Sequence, residues 1–513
     1  MQRHPLEIPE ILAHIGSFMP TWTDSYSQSF KPTTLCSCLR VSKLWYRTFL
    51  PIMWHSFKPT LLTEHIPDEA VRRHGHLVKI LRMDRTRRRR DFSLLNCTNL
   101  HQLTAFDSEY IPDLQPFKSG VGAEGQDEKN DTAVPLSHGK QLLRSNPGLR
   151  VLHWESASGV MRPLDVEDFL GFVCLQSLSL NGWNCSGGKL GQVLRLLART
   201  LKKLSVNWID GMRPEELLKP SSGPSLQEID TNGEEAGFRN SVDDELVLEH
   251  LQSIQLGRAP KPMDLYLSEL VKHCPNLTTL ELLLENNRLD ATRLAHNLRI
   301  HSPNLSILIL TTVLRTYQVE TLLQHGSATG FRELEISVKD SSESLVSGIL
   351  QHASTLERLQ LSVDDGNMDK DGYLRLLVGC TKLTHFMLFR TPSFRADILE
   401  QLKQHAWGCH KSLQELSLRV EVFPSPRLRI QQEQEDQQQE NISEAEKSVT
   451  EILAHMGWEC VDPWDREQSN DRLRIDWTRI RLALELVQLQ RLDNLRLLTL
   501  DYVDFRPSTT RSL

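Results

Sequence analysis

The side chains with most chemical potential in this chain are thiols, imidazoles and arginines, and none is spaced for bond chemistry. Cys36 and Cys38 form a C-x-C with no second pair at zinc spacing, so they read as small residues on a helix. Cys97, Cys274 and Cys380 each stand three residues ahead of a leucine (Leu100, Leu277 and Leu383), a fixed placement that argues for packing rather than reactivity. The 19 histidines are scattered, and none pairs with a nucleophile at the sequence level. "GVGAEG" (120–125) has glycines, but no strand precedes it and a polar loop follows, so it lacks the setting of a phosphate loop. G-x-S-x-G, H-E-x-x-H and G-x-x-x-x-G-K-[ST] are absent. The expectation is a non-catalytic chain with no cofactor and no metal.

The strongest charge feature is "RTRRRR" (85–90), whose composition suits a nuclear import signal or a nucleic-acid contact. Asp84 and Asp91 flank it and weaken its field, so a solvated turn after a strand ending near Met83 is the favoured reading. Across all 513 residues, 59 Lys+Arg against 66 Asp+Glu give −7, which offers no case for binding nucleic acid or an anionic membrane. No stretch approaches the ~18 consecutive apolar residues of a membrane span, and "MQRHPLEIPEILAHIGSFMP" lacks the apolar core of a signal peptide. With nine cysteines, an odd number, reduced thiols and a cytoplasmic or nuclear address are expected.

The elements that position these residues recur along the chain. "SPNLSILIL" places Leu305, Leu308 and Leu310 in an L-x-x-L-x-L pattern, and "CPNLTTLEL" repeats it with Leu277, Leu280 and Leu282. Between residues 149 and 413 the first position advances by 25 to 30 residues at every step. The L-x-L tail alternates with period two, as in a half-buried strand. Helical spacing follows, as in "KLGQVLRLLART" (Leu190, Val193, Leu194, Leu197) and "SESLVSGILQHA" (Val346, Ile349, Leu350, Ala353). Stacked units of this kind give an α/β solenoid, with a parallel sheet on one side and helices on the other.

Residues 77–503 thus resemble the leucine-rich repeat superfamily, whose units span 20–29 residues. The asparagine usual after the last strand leucine is not kept, so irregular curvature is expected. Two insertions interrupt the array: 119–141, Gly- and charge-rich and expected to be a loop, and 424–448, with "QQEQEDQQQENISEAEK". "RLRIDWTRIRLALELVQLQRL" (472–492) is expected to form a capping helix, and 504–513 a C-terminal tail.

In this register the third, fifth and seventh positions of a unit face outward from the sheet. Most are small or polar, such as Ser177, Ser179 and Asn181. Two places differ: Ile307 with Ile309, and Met387 with Phe389, would expose apolar side chains, with Glu333, Glu335 and Arg358 between them. These seven residues are the candidate partner-binding set.

Ahead of the repeats, residues 6–19 form a helix candidate, with Pro9 in its first turn and Ile8, Ile11, Leu12, Ile15 and Met19 on one face. A second candidate, "LRVSKLWYRTFLPIMW" (39–54), is apolar nearly all round apart from a stripe of Arg40, Lys43 and Arg47. Residues 20–34 read as a polar break between them.

The ordered set Leu6, Ile8, Pro9, Glu10, Ile11, Leu12, Ile15, Leu39, Val41, Ser42, Lys43, Trp45, Leu50 and Trp54 resembles an F-box over residues 5–57. Two features depart from that family. Glu10 directly follows Pro9, and the inter-helix segment is long. The resemblance implies a substrate receptor of an SCF-type ubiquitin ligase. Its F-box would dock on the Skp adaptor, and through it on a cullin, using the set above without Ser42 and Lys43. Its repeats would hold an unidentified protein substrate near the conjugating enzyme, a proximity effect. The alternative is a leucine-rich repeat scaffold whose N-terminal helices only cap the array.

Overall fold

The computed structural model describes residues 4–19, 22–23, 29–30, 32–58, 66–83, 96–107, 138–156, 164–207, 246–257, 263–283, 289–340, 342–363, 370–389, 406–418, 451, 458–461, 495–500 and 503–507. The arginine run 85–90, the glycines of 120–125, the repeat at 226, the insertion 424–448 and the expected capping helix 472–492 lie outside them. Two compact units divide the chain near residue 252.

The first unit opens with α1 (Pro9–Ser17), a short antiparallel pair β1 (Trp22–Thr23) and β2 (Ser29–Phe30), α2 (Thr33–Cys38) and α3 (Lys43–Trp54). The expected polar break thus holds a two-stranded ladder and the start of α2. The second helix begins at Lys43 rather than Leu39, because Ser42 is an N-cap: its backbone is extended and its hydroxyl accepts from Trp45 N–H at 3.2 Å. Pro51 lies inside α3 without ending it.

Strand β3 (Ser56–Phe57) follows α3 at once and pairs in parallel with β4 (Ile80–Arg82). Helix α4 (Asp68–His74) lies between them in sequence. The sheet therefore starts at residue 56, ahead of the expected boundary at 77, and residues 56–57 serve it. It continues in parallel through β5 (Gln102–Asp107), β6 (Val151–Ser156), β7 (Ser177–Asn181) and β8 (Lys203–Asn207). Helices α5 (His138–Arg144) and α6 (Lys189–Leu197) join the strands, and α6 buries all four of its expected apolar residues.

Residues 138–141, expected to end a loop, open α5 instead. Lys140 pairs with buried Asp168 at 3.1 Å, and a Cβ on Gly139 would lie 2.7 Å from the Trp154 ring. Those contacts hold the end of the insertion against the array.

In the second unit β9 (Ser253–Leu256), β10 (Thr279–Leu282), β11 (Ile307–Leu314), β12 (Glu333–Val338), β13 (Arg358–Val363), β14 (His385–Phe389) and β15 (Glu415–Leu418) pair in parallel, in chain order. Helices α7 (Met263–Leu270), α8 (Ala291–His301), α9 (Thr316–His325), α10 (Glu343–Leu350) and α11 (Lys370–Gly379) lie between them in sequence. The register aligns Ile254, Leu280, Leu308, Leu334, Leu359, Phe386 and Leu416, all buried, into one line of core side chains. Strand β17 (Leu497–Leu500) adds in parallel to β15, and β18 (Val503–Pro507) then turns back antiparallel and pairs with β16 (Trp458–Val461). The expected tail at 504–513 therefore begins inside a strand. Reversal of strand direction ends the parallel array with paired backbone.

Most of the parallel strand entries repeat one hydrogen-bond device. The Arg332 carbonyl accepts from Glu357 N–H (2.8 Å) and Arg358 N–H (3.1 Å), and the Glu357 carbonyl accepts from Thr384 and His385. The same fork appears at His55, which accepts from Lys79 and Ile80. Three residues before the first leucine, the chain buries a small or polar side chain. Cys97, Cys274 and Cys380 fill this place, as does Asn146, which accepts from Leu100 N–H (2.7 Å) and donates to the carbonyls of Cys97 (2.7 Å) and Leu142 (2.8 Å). Burial pushes the thiols of Cys97, Cys274 and Cys380 up to about 12, which leaves them protonated and inert.

Candidate binding surfaces

The N-terminal helices meet at a glycine. A Cβ on Gly16 would lie 2.6 Å from Ile52 Cδ1 and 2.8 Å from the Phe49 ring, so α1 and α3 approach closely there. Leu12, Leu35, Cys38 and Phe49 form the small core, with Met19, Leu39, Leu44, Trp45, Ile52 and Met53 packed around it. Trp45 Nε1 donates to the Leu6 carbonyl (3.3 Å) and ties the chain ahead of α1 to α3.

Two residues of the adaptor-binding set are core rather than surface. Leu12 is fully buried, and Trp54 is buried beside Phe57 and His74, with ring centroids 5.8 and 5.3 Å away. Trp54 is therefore committed to the start of the array. Ile8, Leu39, Trp45 and Leu50 are half-buried, while Pro9 and Glu10 are exposed. Leu6, Ile11, Ile15 and Val41 are exposed too.

Sequence reasoning missed two exposed aromatic rings, Phe18 (75% exposed) and Tyr46. Phe18 continues Ile11 and Ile15 at i+7, a signal visible in the helical spacing. Six of the thirteen large hydrophobic side chains exposed among the described residues lie between Leu6 and Tyr46. Such concentration in so short a stretch exceeds the scatter normal for a protein surface.

On the sheet of the second unit, strand register brings the candidate partner-binding residues side by side. One outward row reads Ser253, Thr279, Ile307, Glu333, Arg358, His385, Glu415. The next reads Gln255, Glu281, Ile309, Glu335, Gln360, Met387, Ser417. Ile307, Ile309 and Met387 are half-buried rather than fully exposed. Phe389 takes its place on β14 beside Ser362.

Gln255 Nε2 donates to Glu281 Oε1 (2.8 Å), and Gln360 Nε2 donates to Glu335 Oε1 (2.7 Å). Arg358 lies 3.9 Å from Glu333, and His385 lies 3.5 Å from Glu415. Partial burial and the carboxylates of Glu281 and Glu333 hold the Glu335 carboxyl above its usual range. Burial lowers His385, and nearby Arg358 lowers it further, although Glu415 and Glu333 pull the other way. Sequence reasoning also missed Gln255, Glu281, Gln360, His385 and Glu415. The outward alternation of each strand marked these positions as sheet-facing, but their pairing appears only in the strand register.

Among the described residues no group of three or more His, Cys, Asp or Glu side chains is placed to hold a metal ion. No helix there is long and apolar enough to cross a membrane.

No protein-family model matches this sequence, and no curated protein matches it. Among solved structures, the chain is similar to an internalin from Listeria monocytogenes, with 15% identity and a TM-score of 0.29 over 63% of this chain and 76% of that one. It is also similar to a chain of the Toll–Spatzle complex of Drosophila, with 15% identity and a TM-score of 0.26. That match covers 70% of this chain but only 49% of the other. The regular register of parallel strands over a buried line of mostly leucine side chains makes the described part of this chain an α/β solenoid.

Proposed function

We propose that this protein is a non-catalytic substrate receptor of an SCF-type ubiquitin ligase. The N-terminal helices dock the Skp adaptor, and the repeat sheet holds a protein substrate. The observation that carries this reading is the set of exposed apolar side chains on and directly beside the helix pair that resembles an F-box: Ile11, Ile15 and Tyr46 on the helices, with Leu6, Phe18 and Val41 next to them. A helix face of this kind gains stability when a partner's helices cover it. The sheet face adds a second surface, where Ile307, Ile309 and Met387 adjoin Glu333, Glu335 and Arg358. Proximity of substrate to the conjugating enzyme is the whole of the receptor's contribution to rate.

Co-expression of the full chain with the Skp adaptor tests the reading. A stoichiometric complex is expected by size exclusion, and it should be lost on Ile11→Asp with Ile15→Asp, exposed positions at which charge leaves the core intact. A folded chain that brings down no adaptor, or a complex indifferent to I11D/I15D, would sink the receptor assignment and leave the scaffold alternative. An adaptor complex that recruits no cullin would place the chain in a non-ligase assembly.

A further inference from the structure

The outward row on β9–β13 is symmetric about one residue: Gln255, Glu281, Ile309, Glu335, Gln360. Each glutamine donates to the glutamate beside it, on the side away from Ile309. The two amides thus brace the carboxylates from outside and leave the space over Ile309 between two negative groups. Two strand spacings, about 9–10 Å, separate the Glu281 and Glu335 positions. Neither carboxylate has a cationic partner among the described residues; the nearest arginine of the row above, Arg358, is directed to Glu333 and His385. Ile307 stands above Ile309 on β11 and extends the apolar floor.

This combination specifies its occupant. A floor of two isoleucines wants an aliphatic stem, and the flanking carboxylates want a cation that can donate to both sides. Arginine offers both: an apolar stem, and a planar guanidinium with five donors directed around its edge. Lysine offers a point charge without the fork. Building on the reading that the sheet face binds protein, we infer that the β9–β13 face receives an arginine side chain from an extended segment of a partner protein. The guanidinium is shared by Glu281 and Glu335, and its stem lies on Ile307 and Ile309. Bringing a cation between them also relieves the mutual repulsion of carboxylates crowded on one face.

Peptide selection tests the inference. The full chain is immobilised and used to select from a random twelve-residue phage library, and the best peptide is synthesised with a fluorophore. Arginine enrichment beyond lysine is expected, with affinity reduced tenfold or more by E281Q/E335Q and by replacing the arginine with citrulline. Glutamine keeps the amide contacts and removes like charge, so E281Q/E335Q should fold as the parent does; circular dichroism and melting check this. Ile309→Asp reports on the face itself. Peptides lost with I309D but retained by E281Q/E335Q, without arginine enrichment, would overturn the inference and leave the face as a binding surface. Peptides indifferent to both variants, or no selected peptides at all, would overturn the face reading and the inference with it. A concentration-dependent dimer abolished by E281Q/E335Q would assign the site to a second copy's Arg87–Arg90 run, and so overturn the partner-protein assignment.

Discussion

Replacing Asp168 should loosen the helical side of the first unit. The Asp168 side chain is 2% exposed and accepts three hydrogen-bonding or ionic contacts: Lys140 Nζ at 3.1 Å, Arg144 NH2 at 3.3 Å and the Asp165 backbone N–H at 3.0 Å. The three partners are not equal. Arg144 is 53% exposed and can turn to water, so its pairing is worth little. Lys140 is 11% exposed, and Asp168→Ala would remove the buried carboxylate it pairs with.

Removing one member of a buried pair costs about 3–5 kcal/mol. Asp168→Asn keeps an acceptor for Asp165 N–H and loses only the charge, a cost of about 1.5–3 kcal/mol. Hydrogen exchange of the full chain, read over residues 138–172, resolves this local opening. With 1.4 kcal/mol per tenfold, Asp168→Ala should lower protection about a hundredfold or more, and Asp168→Asn by clearly less. Pairing Asp168→Leu with Lys140→Met should recover most of the loss, since buried pairs replaced by apolar groups are often neutral. Protection in Asp168→Ala within threefold of the parent would refute the reasoning, because the pair would then contribute nothing net.

Two further outcomes follow from named contacts. His352 is buried, with Nδ1 accepting from Phe331 N–H (3.3 Å) and Nε2 set 2.9 Å from the Leu323 carbonyl, so both nitrogens are satisfied in the neutral ring. Burial lowers its pKa below the ordinary 6.5, although the Leu323 bond opposes this. The unfolded chain therefore binds a proton that the folded chain refuses: the contribution is fully present above about pH 6.5 and is lost as pH falls toward the folded value. Urea midpoints between pH 7.5 and 5 should fall more steeply in the parent than in His352→Gln, and parallel slopes would contradict the assignment. Gly16→Val should cost about 1–3 kcal/mol by overpacking against Ile52 and Phe49, seen as faster exchange over residues 9–17; unchanged exchange would show that the helices separate freely.

What the sequence revealed was whatever repeats. Leu280, Leu308, Leu334 and Leu359 announce the core line because the same spacing recurs and each member needs the same burial. The fixed place of Cys97, Cys274 and Cys380 was legible for the same reason. Single events were not. Lys140 reads as part of a charged loop, since its partner Asp168 lies 28 residues further on and no periodicity links them. Ser42 reads as the interior of a helix because its apolar neighbours mask its capping role. Trp54 reads as surface for a partner, and only the strand β3 directly behind it shows why it is buried. On the sheet face, Ile307, Ile309 and the charged centre were found from register alone, but the amide braces Gln255 and Gln360 required the ladder itself.

The placement of β3 bears on how the chain can be cut. His55 supplies the carbonyl that receives Lys79 and Ile80, and Ser56–Phe57 cover one side of β4. A truncation beginning at residue 58, the natural choice for isolating the repeats, would remove the N-terminal helices and strip β4 of its neighbour. The bared backbone would invite pairing between copies and self-association. A variant free of that liability would keep β3 intact and place charged residues at the exposed Ile11 and Ile15.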